Sequence, residues 1–481
     1  MSVKAKRFAL GFAVLSVLSA YVQAIEFPYV LDDPLFTRPD VLEQGAQLPG
    51  DASVVGCTTK SSDLESLHAT KDPLALAAAI DLALCHNPQV KAAWAAIKVQ
   101  AGALGEARAA YLPTLNASMS KLHNVTRYPD GNLPDVHNDG ETKYANLTWR
   151  LFDFGTRSAN LESANQMLKS ALAFQDAALQ KALNSVVSAY FDAMTAQATW
   201  KARAQAVELA SGTLQTTKRR EAKGVAALSD TFQAETALAK AKLALSRAQA
   251  DAHKTRAVLL YVMGLPTGTH IELPDEHASV QEVTVDDLTH WLSDAQAKHP
   301  AIAAARAQFD ASKAKVRAVQ AEGLPTLDYT QNYYQNGYPN QGLSAINSKV
   351  NTVGFSLNVP LFEGFTRTYK VRGVQAQSEQ SEAQLQDTEL QVLMEVVKAH
   401  ADAQSSFENL QASQRLLEAA QAAVQSSQKR YDKGAADVLE LLSTQGALAD
   451  AQQERVRCLS EWRSARLRLL ASAGLLGKDG L

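Results

Sequence analysis

This chain of 481 residues has no excess of basic residues, only three cysteines and few long apolar stretches. Lysine and arginine number 47 against 50 aspartate and glutamate residues, so the formal net charge is −3 and a nucleic-acid partner is disfavoured. Beyond the first 24 residues, no apolar stretch approaches the roughly eighteen residues that a membrane-spanning helix needs. The lack of long apolar stretches excludes a helical membrane protein. It does not exclude a membrane β-barrel, because strands of alternating polarity contain no long apolar stretch.

Recognisable catalytic motifs are also lacking. The sequence contains no GxSxG, HExxH, phosphate-binding loop or dinucleotide fingerprint, and its ten histidines do not cluster at metal-ligand spacing. We therefore predict that the protein is not an enzyme and that it uses no metal or other cofactor.

The first residues have the features of a secretory signal peptide. Lys4, Lys6 and Arg7 precede the apolar segment FALGFAVLSVLSAYV, and the small residue Ala24 completes a cleavage site. We predict cleavage after Ala24, and an uncleaved anchor is the alternative interpretation. Cleavage of residues 1–24 removes three cations and no acid, so the formal charge falls from −3 to −6.

The three cysteines are Cys57, Cys85 and Cys458. In an oxidising periplasm, Cys57 and Cys85 can pair and tie a periplasmic N-terminal extension, residues 25–71, to the first helix. Two unpaired small residues are an equally good interpretation. Cys458 lies within a helical pattern and is expected to be a packed small residue.

The chain repeats itself. Two matches recur at an offset of 212 residues and three at 210, always in the same order. This predicts a tandem duplication, with repeat 1 at 72–285 and repeat 2 at 286–481. The offset changes by two residues between LPTL and LF, so we expect an exposed loop rich in turn residues in that interval. The matches are HNP and KHP, LPTL and LPTL, LFDFGTR and LFEGFTR, Lys223-Gly224 and Lys433-Gly434, and Gly264-Leu265 and Gly474-Leu475.

Each repeat is predicted to contain short helices, two strands, one very long helix and one further helix. Strands of about ten residues match a tilted crossing of a bilayer, although hairpins of a soluble sheet show the same alternation. The longest helices would extend about 100 Å, which requires a coiled-coil layer instead of a globular core. The strands span about 113–125, 143–152, 325–336 and 350–362, and the long helices about 155–223, 228–263, 365–433 and 438–472.

Each strand-to-helix junction carries a phenylalanine, which suits a bilayer interface, and a glycine, which permits the turn. These residues are Phe152 and Gly155 in repeat 1, and Phe362 and Gly364 in repeat 2. Four strands cannot close a membrane barrel, and eight from two copies leave no lumen, whereas twelve from three copies leave a pore. The predicted fold class is therefore mainly α with a small membrane β part, namely a tandem-duplicated long-helix tunnel with four strands per subunit in a trimeric 12-stranded β-barrel.

The duplicated plan, the LPTL and LF-x-x-(F/G) segments and the Y-x-x-G turn at Tyr431–Gly434 resemble the TolC family of outer-membrane channel-tunnels, from about residue 72 to 475. The resemblance implies a homotrimer in the outer membrane of a Gram-negative bacterium, with its helical tunnel in the periplasm. Its implied partners are outer-membrane lipid, a periplasmic adaptor and an inner-membrane pump of the ABC, RND or MFS class. The implied function is an exit duct for polypeptides or for small molecules such as drugs. A periplasmic adaptor is the alternative, although adaptors have one helical hairpin instead of two.

The resemblance also assigns residues. It places the adaptor-facing tips at Lys223, Gly224, Lys433 and Gly434, and the periplasmic gate at Ser229, Asp230, Tyr431, Asp437, Glu440 and Ser443. Three Glu440 carboxylates around a narrow axis would attract cations, and a solvated helix residue is the alternative interpretation. Ala436 and Ser443 depart from the arginine and the acidic residue of the family pattern, which leaves open how the gate is held shut. By analogy with family members that carry a lipid on their first cysteine, the predicted non-acylated N-terminus favours the polypeptide-secretion or general branch over dedicated drug efflux.

Overall fold

The computed structural model describes residues 34–37, 39, 73–128, 134, 136–274, 287–336 and 348–475. The chain divides into two compact units, Met1–Arg38 and Pro39–Leu481. Of the first unit only residues 34–37 are described, so the account below concerns the second. The predicted signal peptide, most of the N-terminal extension and Cys57 lie outside the described residues, and the pairing of Cys57 with Cys85 stays a prediction.

Eight helices and four strands make up the described part of the second unit. The long helices of the two repeats have 67 residues each, and the helices that follow them have 35 each. This architecture confirms the predicted fold class of long paired helices in two repeats with four strands. In chain order the elements are α1 (Leu76–His86), α2 (Pro88–Ala109), β1 (Thr114–Thr126), β2 (Val136–Phe152), α3 (Thr156–Ala222), α4 (Leu228–Val262), α5 (Leu288–Lys298), α6 (Pro300–Ala321), β3 (Thr326–Gln335), β4 (Lys349–Asn358), α7 (Thr366–Asp432) and α8 (Val438–Ser472).

The four strands form one antiparallel sheet in the order β1-β2-β3-β4. Residues directly opposite each other share a face, so the register assigns the side chains to two faces. One face is mostly apolar and carries Leu115, Met119, Leu147, Trp149, Tyr329, Val353, Phe355 and Leu357. The other is polar and carries Asn116, Ser120, Thr142, Asn146, Thr148, Asp328, Thr330, Asn332 and Thr352. The sheet is therefore amphipathic, as the alternation in the sequence predicts.

Strand β2 begins at Val136, well before the predicted start near residue 143. Residue 143 is where β2 first pairs with β3, through Lys143 and Gln335, whereas residues 136–142 pair with β1 alone. The segment contains Asn, Asp and Gly, which favour turns, so its own propensity predicts a loop. Pairing with β1 overrides that propensity, and it sets Lys121 directly opposite Glu141, a favourable cross-strand pair of charges.

Strand β4 ends at Asn358, although the alternation predicts a strand to about residue 362. Pro360 has no N–H group to donate to a neighbouring strand, and its ring fixes φ. Phe362 consequently lies after the strand, outside any regular element, and is exposed. Phe152, its counterpart, is still within β2 and lies opposite Leu327 after a register shift.

Helix α3 is at the centre of the helical packing. It packs against α1, α2 and α4 of its own repeat and also against α6 and α8 of the other repeat. The largest apolar cluster surrounds the middle of α3, from Leu179 to Ala193, and includes α1 and the C-terminal end of α4. None of the described helices combines the length and the apolar character needed to cross a membrane.

Two of the repeated sequence motifs meet at the ends of α4 and α8. The side chain of Asn87, between α1 and α2, donates a hydrogen bond to the carbonyl of the last residue of α4 (2.9 Å). Gly264 follows with a φ of 73°, and a Cβ atom there would lie 2.5 Å from the His86 carbonyl oxygen. Gly474 is placed in the same way after α8, where a Cβ atom would lie 3.0 Å from the Cα atom of His299. Glycine recurs at both positions because a side chain there would collide with the backbone between two consecutive helices, α1 and α2 or α5 and α6. We call these two interruptions the helix breaks.

Candidate functional site

The candidate site is formed by the two turns that join α3 to α4 and α7 to α8, here called the hairpin ends. Gly224 and Gly434 have φ of 73° and 74°, a conformation that favours glycine. The amide after each glycine donates a hydrogen bond to the carbonyl five residues earlier, Val225 to Arg220 (2.9 Å) and Ala435 to Arg430 (2.8 Å). These bonds cap the C-termini of α3 and α7 and explain why a glycine recurs in both turns.

In the first hairpin end, Asp230 interacts with the start of its own helix. Its carboxylate accepts hydrogen bonds from the Ala227 amide (3.3 Å) and from the Ser229 hydroxyl (3.4 Å). A carboxylate in the first turn satisfies a free amide and interacts favourably with the helix dipole. These contacts of the predicted gate residues Ser229 and Asp230 thus stabilise the beginning of α4.

In the second hairpin end, Glu440 is paired within its own hairpin. Arg430 donates to the Glu440 carboxylate (2.8 Å) and to the Ala435 carbonyl (3.3 Å). Both charged side chains are partly exposed. The carboxylate that the sequence suggests as an isolated charge at the entrance therefore has a cation beside it.

Tyr431 joins the second hairpin end to the first repeat. Its side chain is buried, and its hydroxyl lies 3.2 Å from the Thr217 hydroxyl on α3. The Arg220 guanidinium lies over the Tyr431 ring, 4.6 Å from its centroid, and donates to the Tyr431 carbonyl (2.7 Å). We call these three residues the inter-repeat contact.

The remaining predicted residues occupy the surface around this contact. Asp437 precedes α8, and its carbonyl accepts from the Leu441 amide (3.4 Å). Ser443 lines a cavity of about 690 Å³ between α3, α4 and α8. Lys223 and Lys433 are exposed at the turns. Of the predicted gate residues, Tyr431 alone takes part in the inter-repeat contact.

Thr217, Arg220 and Arg430 are not among the residues predicted from the sequence. Arg220 and Arg430 occupy equivalent positions 210 residues apart, so the repeat itself contained a signal for them. Their partners differ, since Arg220 contacts the other repeat and Arg430 contacts its own hairpin, and the offset does not specify either contact. Among the described residues, no group of three or more His, Cys, Asp and Glu side chains is arranged to hold a metal ion.

Comparison with known proteins identifies the family. The sequence profile of the outer membrane efflux protein family matches residues 79–265 and 291–475, one match in each repeat. The chain belongs to this family. It is 36% identical to the protein CyaE of Bordetella pertussis over 409 residues, which cover 85% of each chain. It is 28% identical to the alkaline protease secretion protein AprF of Pseudomonas aeruginosa, covering 83% of this chain and 84% of AprF.

The fold is also that of known outer-membrane proteins. The crystal structure of the outer membrane protein VceC from Vibrio cholerae superimposes with a TM-score of 0.72 at 23% identity, covering 83% of this chain and 96% of VceC. As an outer membrane efflux protein, the chain is an outer-membrane channel of tripartite export systems and not an enzyme. The resemblance to the TolC family is thereby confirmed, and the alternative of a periplasmic adaptor is wrong.

Proposed function

We propose that three copies of this chain form one continuous duct, with a twelve-stranded barrel in the outer membrane and a helical tunnel in the periplasm. The observation that carries the proposal is the amphipathic sheet with two available edges. Among the described strands, β1 and β4 each pair with a single neighbour, so both edges can accept a strand from another copy. A closed barrel satisfies these edges in lipid, where free backbone groups are costly.

The two faces of the sheet fit the two sides of such a barrel. The apolar face exposes large side chains, among them Phe355 and Leu357, which suit contact with lipid. The polar face carries hydrogen bonds between strands, from Asn146 to Asn332 (2.6 Å) and between the Ser120 and Thr142 hydroxyls (2.6 Å). A hydrogen-bonded polar face suits the lining of an aqueous lumen.

The hairpin ends are the proposed periplasmic entrance. Residues Ser229, Asp230, Tyr431, Asp437, Glu440 and Ser443 would form or support the gate, and Lys223, Gly224, Lys433 and Gly434 would face a periplasmic adaptor. The exposure of both Lys-Gly turns supports this assignment. The adaptor would connect the duct to an inner-membrane pump of the ABC, RND or MFS class.

Polypeptides are the proposed cargo. AprF, as its name states, serves the secretion of alkaline protease, and the similarity covers most of both chains. Export of small molecules is the second candidate, because the pyoverdine export outer membrane protein OpmQ of Pseudomonas aeruginosa is also similar, at 25% identity over 415 residues.

Paired substitutions on β4 test the barrel. Val353 lies on the apolar face and Thr352 on the polar face, one residue apart. Val353→Arg should prevent membrane insertion, since an arginine facing lipid near the bilayer midplane costs about 2–4 kcal/mol per chain. Thr352→Arg should still insert as a detergent-stable trimer and should alter single-channel conductance in planar bilayers. Equal behaviour of the two variants, or a wild-type protein that is monomeric and forms no channel, would contradict the proposal.

A further inference from the structure

Three polar groups connect the ends of the two hairpins, and two of them are shielded from water. Thr217 and Tyr431 are 0% and 4% exposed, respectively, so their hydroxyl groups depend on each other for a partner across the repeats. Thr217 also donates to the Thr213 carbonyl one turn earlier in α3 (2.9 Å). This arrangement leaves the Tyr431 hydroxyl as the donor toward Thr217.

Arg220 makes two different interactions with the same residue. It donates to the Tyr431 carbonyl, which belongs to the last turn of α7, where carbonyl groups lack a full set of helical partners. Its guanidinium also lies over the Tyr431 ring at a distance typical of a cation–π interaction. A planar guanidinium can make both interactions at once, whereas a lysine ammonium is a point charge.

The contact is asymmetric between the repeats. Position 221 of repeat 1 corresponds to Tyr431 and is a glutamate, which accepts a hydrogen bond from the Thr231 hydroxyl instead. Arg430 corresponds to Arg220 and turns to Glu440 of its own hairpin. At the hairpin ends, Arg220 therefore reaches across to the other repeat, whereas its equivalent Arg430 stays within its own hairpin.

We propose that Arg220 holds the second hairpin end against the first, and that the entrance opens only when Arg220 leaves Tyr431. This inference rests on the proposed duct, whose entrance the hairpin ends would form. The closing role then belongs to an arginine on α3 of repeat 1. The family pattern has an arginine in repeat 2 at position 436, where this chain has alanine. The second hairpin end is then the part that moves, because α3 is already fixed by the packing of both repeats.

The first experiment is hydrogen–deuterium exchange on the full chain in detergent, for wild type, Arg220→Gln and Arg219→Gln. Arg219 is the matched control, since it carries the same charge one residue away and is exposed, and within the described part of the chain it donates only to the Gln215 carbonyl of its own helix (3.3 Å). We expect amides 433–435 to exchange about tenfold faster in Arg220→Gln, a factor that corresponds to about 1.4 kcal/mol. Amides 223–225 of the first hairpin end serve as the internal reference and should not change.

The second experiment is single-channel recording of the same three proteins in planar bilayers. Arg220→Gln should show a larger open probability than wild type, and Arg219→Gln should not. Arg220→Lys should lie between them, because it keeps the charge and loses the planar donor. Unchanged exchange at 433–435, or equal changes in Arg219→Gln, would overturn the role of Arg220. A wild type without conductance would instead overturn the duct and the gating role with it, while the exchange rates would still show whether Arg220 holds the hairpin end.

Discussion

The two strand-to-helix junctions share a backbone and differ in how side chains stabilise it. At the first junction, Asp153 accepts hydrogen bonds from the amide and from the Nε atom of Arg157 (3.0 and 2.9 Å). The two side chains are only 7% and 12% exposed. At the second, the equivalent pair Glu363 and Arg367 (3.1 Å) is 43% and 35% exposed. The same sequence motif thus produces a buried ion pair once and a surface ion pair once.

The neighbouring residue accounts for much of this difference. The Arg157 guanidinium lies over the Tyr111 ring, 4.7 Å from its centroid. Gly323 stands at the position equivalent to Tyr111, and a Cβ atom there would lie 1.9 Å from the Cζ atom of Arg367. Arg367 therefore occupies space that a side chain fills in repeat 1. The two junctions therefore share a backbone path, but different side-chain contacts stabilise them.

The backbone of the two junctions is similar although the glycine occupies a different position in each. The first junction has positive φ at Phe154 and Gly155, and the second at Gly364 and Phe365. The glycine and the phenylalanine have exchanged places between the copies. Because two consecutive residues are left-handed at each junction, glycine can relieve the strain at either one.

Asp153→Ala should have the largest effect of the substitutions considered. It removes the partner of a buried arginine and the acceptor of the Gly155 and Arg157 backbone amides, which we expect to cost about 4 kcal/mol. Glu363→Ala, the matched control, should cost at most about 0.5 kcal/mol because its ion pair is exposed. Denaturant unfolding of the two variants in detergent measures both. Equal losses would show that burial does not distinguish the junctions.

A second pair of equivalent positions should give a smaller contrast. Gly264→Ala places a Cβ atom against a backbone carbonyl at a positive φ, for an expected cost of about 3 kcal/mol. Gly474→Ala should cost about 1–2 kcal/mol, since the φ is equally strained but the closest contact of the added Cβ atom is longer, 3.0 Å instead of 2.5 Å. Thermal unfolding midpoints are the measurement, and a larger loss in Gly474→Ala would contradict the packing argument.

These contrasts also mark what the sequence can predict. The long helices follow from segments without proline that end at Lys-Gly turns, so α3 and α7 lie close to the expected ranges. The early start of β2 depends on pairing with β1, and the early end of β4 on Pro360, so local alternation missed both. The partners of Tyr431 and Glu440 depend on packing across a turn or between repeats. Residue types and spacing do not encode that packing.

Acidification should affect the two helix breaks differently. Asn87 and His299 occupy equivalent positions, and burial lowers the pKa of His299 from its ordinary value of 6.5. Above that value His299 is neutral in both the folded and the unfolded state, so its titration does not lower the free energy of unfolding. As the pH falls below it, the unfolded chain binds a proton first, so the folded state loses stability until the lower folded pKa is passed. The His299 Nδ1 atom accepts from the Ala301 amide (3.2 Å), a bond that protonation at Nδ1 would remove.

His299→Asn reproduces the break of repeat 1 and is the matched test. The variant should lose less stability than wild type between about pH 7 and pH 5, the range in which an ordinary histidine titrates. Unfolding midpoints of both proteins across that range provide the measurement. Parallel pH profiles would mean that protonation of His299 is not linked to folding.

The smallest effect is expected for the charges of the two hairpin ends. Glu440→Gln removes a carboxylate that already has Arg430 beside it, so the ion selectivity of the channel should change little. Arg430→Gln should change it more, because it leaves Glu440 without its nearby cation and should increase the preference for cations. The reversal potential under a salt gradient measures this, with the double variant as control. If Glu440→Gln alone abolished cation preference, the carboxylate would act as a free charge at the entrance. Its pairing within the hairpin would then not persist in the open channel, whereas the carboxylate of Asp230 accepts from the Ala227 amide just before α4 and from the Ser229 hydroxyl.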